Sequence, residues 1–130
     1  RSTLFPYTTL FRSGRRVFDP EEASDGFRVL VDRLWPRGIR KEQLLYDAWA
    51  KDITPSTPLR QWFHQDETGH WAEFVQKYRQ ELSENPAVEE FIDRLRGQQT
   101  VTLLYASKNA TSNHALILQE FLTKRLNQRS

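Results

Sequence analysis

The feature that most constrains the fold is the run of residues 101–106, Val-Thr-Leu-Leu-Tyr-Ala, which is apolar at almost every position. A strand with one face in water alternates apolar and polar side chains, whereas an unbroken apolar run is typical of a parallel strand covered on both faces. A second run contains Val29, Leu30, Val31 and Leu34 and stops at Pro36 and Gly38. These two runs predict buried strands of one parallel sheet.

Patterns typical of helices lie between and after these runs. Ser56 and Asn85 each precede a proline-containing helix start, and an apolar stripe from Trp71 to Leu82 repeats at helical spacing. Thr111-Ser112 is the predicted cap of a last helix. Residues 15–20 predict another short strand, and residues 39–54 a short helix followed by irregular structure. Strands joined by helical crossovers predict the α/β class: one compact domain with a small, mostly parallel sheet of at least three strands, flanked by helices.

Residues 1–13 do not share the pattern of the remaining chain. They lack a basic region followed by an apolar core of about 7–15 residues, which excludes a secretory signal peptide. They resemble the translated read-through of a sequencing adaptor, and the chain contains no methionine. We therefore expect residues 1–13 to be a non-native peptide, either loosely held or borrowing a place in the sheet beside residues 15–18, and residues 14–130 to form a single α/β domain.

The charge balance depends on this division. The whole chain has 19 basic and 17 acidic residues, but residues 1–13 contribute two of the arginines and no acid, which leaves 17 of each. A net charge of zero gives no electrostatic support for nucleic-acid binding.

Several chemistries are disfavoured by composition. The chain has no cysteine, which excludes disulfides and thiol nucleophiles and fits a reducing compartment. Its apolar runs are far shorter than the ~20 residues of a membrane span, so no membrane partner is predicted. His64, His70 and His114 lack the close spacing of metal-binding motifs, and there is no glycine-rich phosphate loop. We predict neither a metal nor another cofactor.

Charged side chains follow both predicted buried strands. In a parallel sheet these strand ends lie at one edge, where α/β proteins bind ligands. The residues concerned are Asp32, Arg33 and Arg37 after the first run, and Lys108, Asn113 and His114 after the second. Cations facing a helix N-terminus would form an anion site, and His114 could exchange a proton there. Asp32 fits a turn cap or an ion-pair partner slightly better than a general base.

A second group of candidates lies in a stretch of low regularity: Trp49, Lys51, Asp52, Ser56, Arg60, Trp62 and His64. Irregular segments carry function disproportionately often. The alternative is structural, with Trp49 and Trp62 sealing the edge of the core and Arg60 stacked on one of them. Taken singly, exposed arginines, lysines and first-turn histidines are more often solvated or structural than functional.

Three stretches carry a resemblance to a known family. These stretches resemble the YeaO-like branch of domain-of-unknown-function family 488: residues 16–42 (RVFDPEEASDGFRVLVDRLWPRGIRKE), 49–66 (WAKDITPSTPLRQWFHQD) and 101–122 (VTLLYASKNATSNHALILQEFL). The resemblance covers about residues 15–126 and implies a compact bacterial α/β protein of the cytoplasm without an established activity. A related branch has a Cys-His pair where this chain has Asn113-His114, so thiol chemistry is not carried over.

The family signature matches three groups of positions in this chain. These are Asp32, Arg33, Trp35, Pro36, Arg37 and Gly38; then Trp49, Lys51, Pro55, Ser56, Arg60, Trp62 and His64; then Tyr105, Lys108, Asn113 and His114.

Three functions remain open from the sequence. The first is an enzyme or binding protein for a small anionic ligand that bears phosphate or carboxylate. It would use Arg33, Arg37, Lys51, Arg60, Lys108 and Asn113 for binding, with His114, Asp32 and His64 as candidate catalytic residues. The second is a nucleic-acid-associated protein that stacks bases on tryptophans such as Trp35, Trp49 or Trp62. The third is an interaction module without chemistry. A concave cleft that gathers the cations would favour the first function.

Overall fold

The computed structural model describes residues 10–11, 14–107 and 112–128. Its strands are β1 (Leu10–Phe11), β2 (Arg15–Arg16), β3 (Phe27–Leu30), β4 (Ala48–Trp49) and β5 (Thr100–Tyr105). Its helices are α1 (Thr57–Gln65), α2 (Glu67–Glu84), α3 (Pro86–Leu95) and α4 (His114–Gln128). The described residues thus form an α/β domain, as the sequence predicts.

Every strand pair in the described sheet is parallel. β3 lies between β4 and β5, and both β1 and β2 pair with the other edge of β5. Because β1 and β2 follow each other along that edge, the sheet is four strands wide. The prediction of a small parallel sheet with at least three strands is confirmed.

The two faces of β5 are covered by different parts of the chain. Val101, Leu103 and Tyr105 belong to the main core, which contains residues of all four helices. Leu104 belongs to a smaller cluster with Leu30 and residues of the loops between positions 17 and 49. Burial on both faces explains why β5 is apolar at successive positions instead of alternating.

The helix starts at Ser56 and Asn85 are confirmed. The Ser56 Oγ accepts a hydrogen bond from the Leu59 N–H, and the Asn85 Oδ1 accepts one from the Ala87 N–H at 2.9 Å. The last helix differs from the prediction, because α4 begins at His114 and its first turn is capped by Asn113. The Asn113 Oδ1 accepts a hydrogen bond from the Leu116 N–H at 3.2 Å.

Two local predictions are wrong. Leu34 is 67% exposed and lies beyond β3, which ends at Leu30. The chain leaves the sheet at Asp32, whose carbonyl accepts a hydrogen bond from the Trp49 side chain. Residues 39–54 contain no α-helix; two single 3₁₀ turns flank the two-residue strand β4 instead. That strand is held by tertiary pairing, since the Ala50 N–H donates to the Leu30 carbonyl at 2.8 Å.

The N-terminal peptide is only partly described. Leu10 and Phe11 pair in parallel with Thr100 and Val101, so these two residues occupy a place in the sheet. Residues 1–9 and 12–13 lie outside the described residues. The non-native origin of residues 1–13 stays a prediction.

A buried ion pair holds the entry to β3. Asp25 and Arg28 are 0% and 3% exposed, and the Arg28 guanidinium donates to the Asp25 carboxylate. The Arg28 Nε also donates to the Leu45 carbonyl at 2.7 Å, and the Arg15 Nε lies 3.7 Å from the other Asp25 oxygen. The Thr102 hydroxyl donates to the Asp25 carbonyl, which ties this turn to β5.

Candidate functional site

A cleft of about 550 Å³ opens at the carboxyl edge of the sheet. It is lined by residues 32–37 after β3, by Ser107 after β5, by residues 112–114 at the start of α4, and by side chains of α1 and α2. This volume lies within the range of small-molecule sites, roughly 300–1,000 Å³. Parallel strands bring these segments together, because the chain leaves every strand at the same edge.

Asp32 and His114 meet at the base of this edge. The Asp32 Oδ2 accepts a hydrogen bond from the Ala106 N–H at 3.0 Å, which joins the ends of β3 and β5. The Asp32 Oδ1 lies 3.3 Å from the His114 Nε2, and the same nitrogen lies 2.7 Å from the Val31 carbonyl oxygen. These contacts place the Asp32 carboxylate between the Ala106 N–H and the His114 ring, a position that suits the structural role slightly favoured by the sequence.

These contacts define the tautomer of His114. A carbonyl oxygen can only accept, so the nitrogen facing Val31 must carry a hydrogen. In the neutral imidazole the other nitrogen, Nδ1, then has a lone pair. Among the described residues, none makes a hydrogen bond with this Nδ1. The side chain is 19% exposed and lines the cleft.

Arg33 lines the cleft and has one buried donor without a partner. Its Nε is buried and has no hydrogen-bond partner. Its charge also reaches Tyr78, a fully buried residue whose hydroxyl donates to the Ile53 carbonyl at 2.6 Å. Burial and the charge of Glu81 raise the pKa of Tyr78 well above its ordinary value, and the charge of Arg33 opposes them. A buried guanidinium nitrogen without an acceptor is costly unless a ligand supplies one.

Two further arginines line the same cleft. Arg37 is exposed on the loop after β3, and Arg60 is half-buried on α1. Within the described part of the chain, Arg33, Arg37 and Arg60 make no ion pair. The two acidic residues of the lining are Asp32 and Glu67, and both contact histidines: the Glu67 Oε2 lies 2.8 Å from the His64 Nδ1.

Most of the predicted site residues come together. Asp32, Arg33, Arg37, Arg60, His64, Asn113 and His114 all line the cleft. Lys51 does not: it is exposed, with its ammonium 4.9 Å from the centre of the Trp49 ring. Lys108 lies outside the described residues. Asn113 is buried and has a structural role as the cap of α4.

The tryptophans proposed as base-stacking platforms are engaged within the fold. Trp35 and Trp49 pack edge to face at 5.6 Å, and their indole N–H groups donate to the Ile39 and Asp32 carbonyls at 2.6 Å. Trp62 stacks on the His70 ring at 3.9 Å. All three are half-buried.

Sequence reasoning missed several lining residues. Glu67 and the apolar side chains of Phe63 and Phe74 were not predicted as part of a site. The i, i+3 spacing of His64 and Glu67 could have indicated their contact. The core position of Phe74 is confirmed, and it lines the cleft as well.

Within the described ranges, no three histidine or acidic side chains lie together in a way that could hold a metal ion. None of the helices in the described part of the chain is long and apolar enough to cross a membrane.

The sheet, its order and the cleft define a small parallel α/β protein with an arginine-rich site at the carboxyl edge of its sheet. The chain belongs to the DUF488 family: the family described as "Inactive DUF488-N3 subclade" matches residues 13–130. It is 49% identical to the uncharacterised protein YeaO of Escherichia coli K12 over 108 residues, which are 83% of this chain and 93% of YeaO.

A second group of relatives comes from mycobacteria. The chain is 38% identical over 110 residues to the uncharacterised protein Rv3073c of Mycobacterium tuberculosis H37Rv, covering 85% of this chain and 92% of the relative. The uncharacterised protein Mb3100c of Mycobacterium bovis matches to the same extent. No solved structure is significantly similar to the chain.

Proposed function

We propose that this protein binds a small anionic molecule, bearing phosphate or carboxylate, in the cleft at the carboxyl edge of the sheet. The observation that carries the proposal is Arg33, which lines the cleft and whose buried Nε has no hydrogen-bond partner. An anionic group in the cleft would balance the charge of this guanidinium, and a guanidinium matches the planar geometry of carboxylate and phosphate.

The charges around the cleft support the same ligand class. Three arginines line it and none is neutralised by an ion pair within the described residues, whereas both lining carboxylates contact histidines. The cleft also includes the first turn of α4, a helix of 15 residues, whose N-terminal N–H groups favour negative charge. Lys108 would add a further cation, which stays a prediction.

The proposal concerns binding and not turnover. The matching family is described as an inactive subclade, and a binding role agrees with that description. His114 remains the group best suited to contact a proton of the ligand. Its Nε2 is held by Val31 and Asp32, so its Nδ1 is the nitrogen left for the ligand. A nucleic-acid interface is less favoured, because the tryptophans it would use pack within the fold. A cytoplasmic location stays a prediction.

Isothermal titration of the protein with inorganic phosphate, pyrophosphate, citrate and succinate tests this proposal. We expect saturable binding of at least one of these anions at low salt. Arg33→Met keeps an apolar stem but removes the guanidinium, and Arg37→Ala removes a charge from the exposed rim. Each variant should weaken binding about 10- to 100-fold, since hydrogen bonds to charged groups contribute ~1.5–3 kcal/mol.

Arg94→Ala is the matched control, because Arg94 is an exposed arginine on α3 away from the cleft. It should bind the anions as the wild type does. Equal weakening in Arg94→Ala and Arg33→Met would show that the chain attracts anions through its overall charge and not through this cleft.

A further inference from the structure

We infer that the ligand of the cleft carries a hydrogen-bond donor, an O–H or N–H group, in addition to its anionic group, and that His114 selects for this donor. The inference rests on the proposed function and narrows its ligand class. Anions without an O–H or N–H group would satisfy only the arginines, whereas hydroxylated or amidated anions would also satisfy His114.

The first step is the fixed orientation of the imidazole. The His114 Nε2 is placed between the Val31 carbonyl oxygen, at 2.7 Å, and the Asp32 Oδ1, at 3.3 Å. The Asp32 carboxylate is itself held by the Ala106 N–H. Both neighbours of Nε2 accept in their usual states, so the ring hydrogen lies on Nε2 and the ring cannot flip without losing both contacts.

The second step is the chemistry that remains on the other side of the ring. In the neutral imidazole Nδ1 can only accept a hydrogen bond. No residue within the described ranges bonds to it, although the side chain is mostly buried and lines the cleft. A ligand that displaces water from this nitrogen without offering a donor leaves the acceptor unpaired, at a cost of ~1–3 kcal/mol, so such a ligand is penalised.

The third step is the contrast with the arginines. Guanidinium groups have five N–H donors and no acceptor, so Arg33, Arg37 and Arg60 recognise oxygen acceptors alone. The Nδ1 of His114 recognises a hydrogen-bond donor instead, within the same cleft. Sites that bond a substrate hydroxyl reject the analogue without it, because the buried partner is then left unpaired.

Two pairs of compounds that differ in hydroxyl groups test the inference: malate against succinate, and glycerol 3-phosphate against n-propyl phosphate. In at least one pair, we expect the wild-type protein to bind the hydroxylated member about tenfold more tightly, which corresponds to 1.4 kcal/mol. His114→Gln should abolish this preference. The glutamine amide can still donate to Val31 and Asp32 in place of Nε2, but the Nδ1 acceptor is lost.

The controls separate the inference from the proposed function. Arg33→Met should weaken both members of a pair equally and leave the preference intact. His70→Gln, the same change outside the cleft lining, should alter neither affinity nor preference. A merely structural role of His114 would lower the melting temperature of His114→Gln while keeping the preference, and that result would overturn the inference.

Two results for the wild-type protein distinguish a failure of the inference from a failure of the proposed function. If the wild type binds these anions but treats the members of both pairs alike, the inference is overturned and the proposed function stands. If it binds none of the four compounds and none of the simple anions, both fail together.

Discussion

Arg28 and Arg33 stand five residues apart along the chain, and their surroundings give them different roles. The Arg28 guanidinium is buried against Asp25 and the Leu45 carbonyl, so its donors are used within the fold. The Arg33 Nε is buried at the cleft without an acceptor. An arginine whose donors are all used inside the fold holds the structure together, whereas one that lines a cavity and has an unpaired donor is suited to a ligand.

Asp25 is the counter-charge on which Arg28 depends. Burial by itself raises the pKa of a carboxyl group, but here hydrogen bonds from the Glu22 N–H and from Arg28, with the charges of Arg15 and Arg28, outweigh it. The pKa of Asp25 is therefore held below its ordinary value of 3.8. Because the folded state favours the charged form, this carboxylate stabilises the fold above pH 3.8, and the contribution is lost as the pH falls through the lower folded value.

We predict that Asp25→Asn lowers the free energy of unfolding by about 3–5 kcal/mol at pH 7, because it leaves Arg28 buried without a counter-charge. Urea unfolding followed by circular dichroism measures this difference. The gap between wild type and variant should persist from pH 7 to pH 5 and narrow below pH 3.8.

Asp93→Asn is the matched control, since Asp93 on α3 forms an exposed i, i+3 pair with Arg96, the residue just after the helix. It should change the free energy of unfolding by less than about 1 kcal/mol. Similar effects of the two substitutions at pH 7 would contradict the structural role given to Asp25.

At the scale of elements, Ser56 connects the two helices that supply the α1 and α2 walls of the cleft. Its Oγ accepts from the Leu59 N–H at the start of α1. Its N–H and its hydroxyl donate to the two carboxylate oxygens of Glu81 on α2, at 2.9 and 2.5 Å. The cap thus fixes the beginning of α1 against the C-terminal part of α2.

We predict that Ser56→Ala lowers the free energy of unfolding by about 1–2 kcal/mol, through loss of the cap and of one bond to Glu81. Chemical denaturation measures it. In the same helix pair, Ser83→Ala removes only a hydroxyl that donates to the Gln80 carbonyl on the exposed face of α2, and it should cost less than about 0.5 kcal/mol. Equal costs would mean that the Ser56 cap adds nothing to stability.

The elements that sequence could predict are those with a local physical signal. Ser56 and Asn85 mark helix starts because their side chains cap the backbone directly. Strand β5 is recognisable because burial on both faces leaves an unbroken apolar run. Strand β4 has two residues and no local signal, since only its pairing with β3 makes it a strand. Leu34 was misplaced for a related reason: apolar character does not show where a chain leaves the sheet.

At the scale of the whole molecule, the topology determines which residues meet. Once β3 and β5 are parallel neighbours, residues 32–37 and 112–114 must lie at one edge, so the main part of the cleft was predictable. The direction of individual side chains was not. Lys51 lies against Trp49, away from the cleft, and Glu67 enters the lining because α1 and α2 pack together, a contact between elements that sequence spacing does not determine.

The central claim, that the cleft binds anions through Arg33, is tested most directly by the NMR signal of the Arg33 Nε–H group, assigned by its absence in Arg33→Met. We predict that this signal shifts saturably as inorganic phosphate is added, whereas the Nε–H signal of the exposed Arg94 on α3 does not. An Arg33 signal that stays unchanged while calorimetry shows phosphate binding, or that moves only in proportion to the Arg94 signal, would contradict the account.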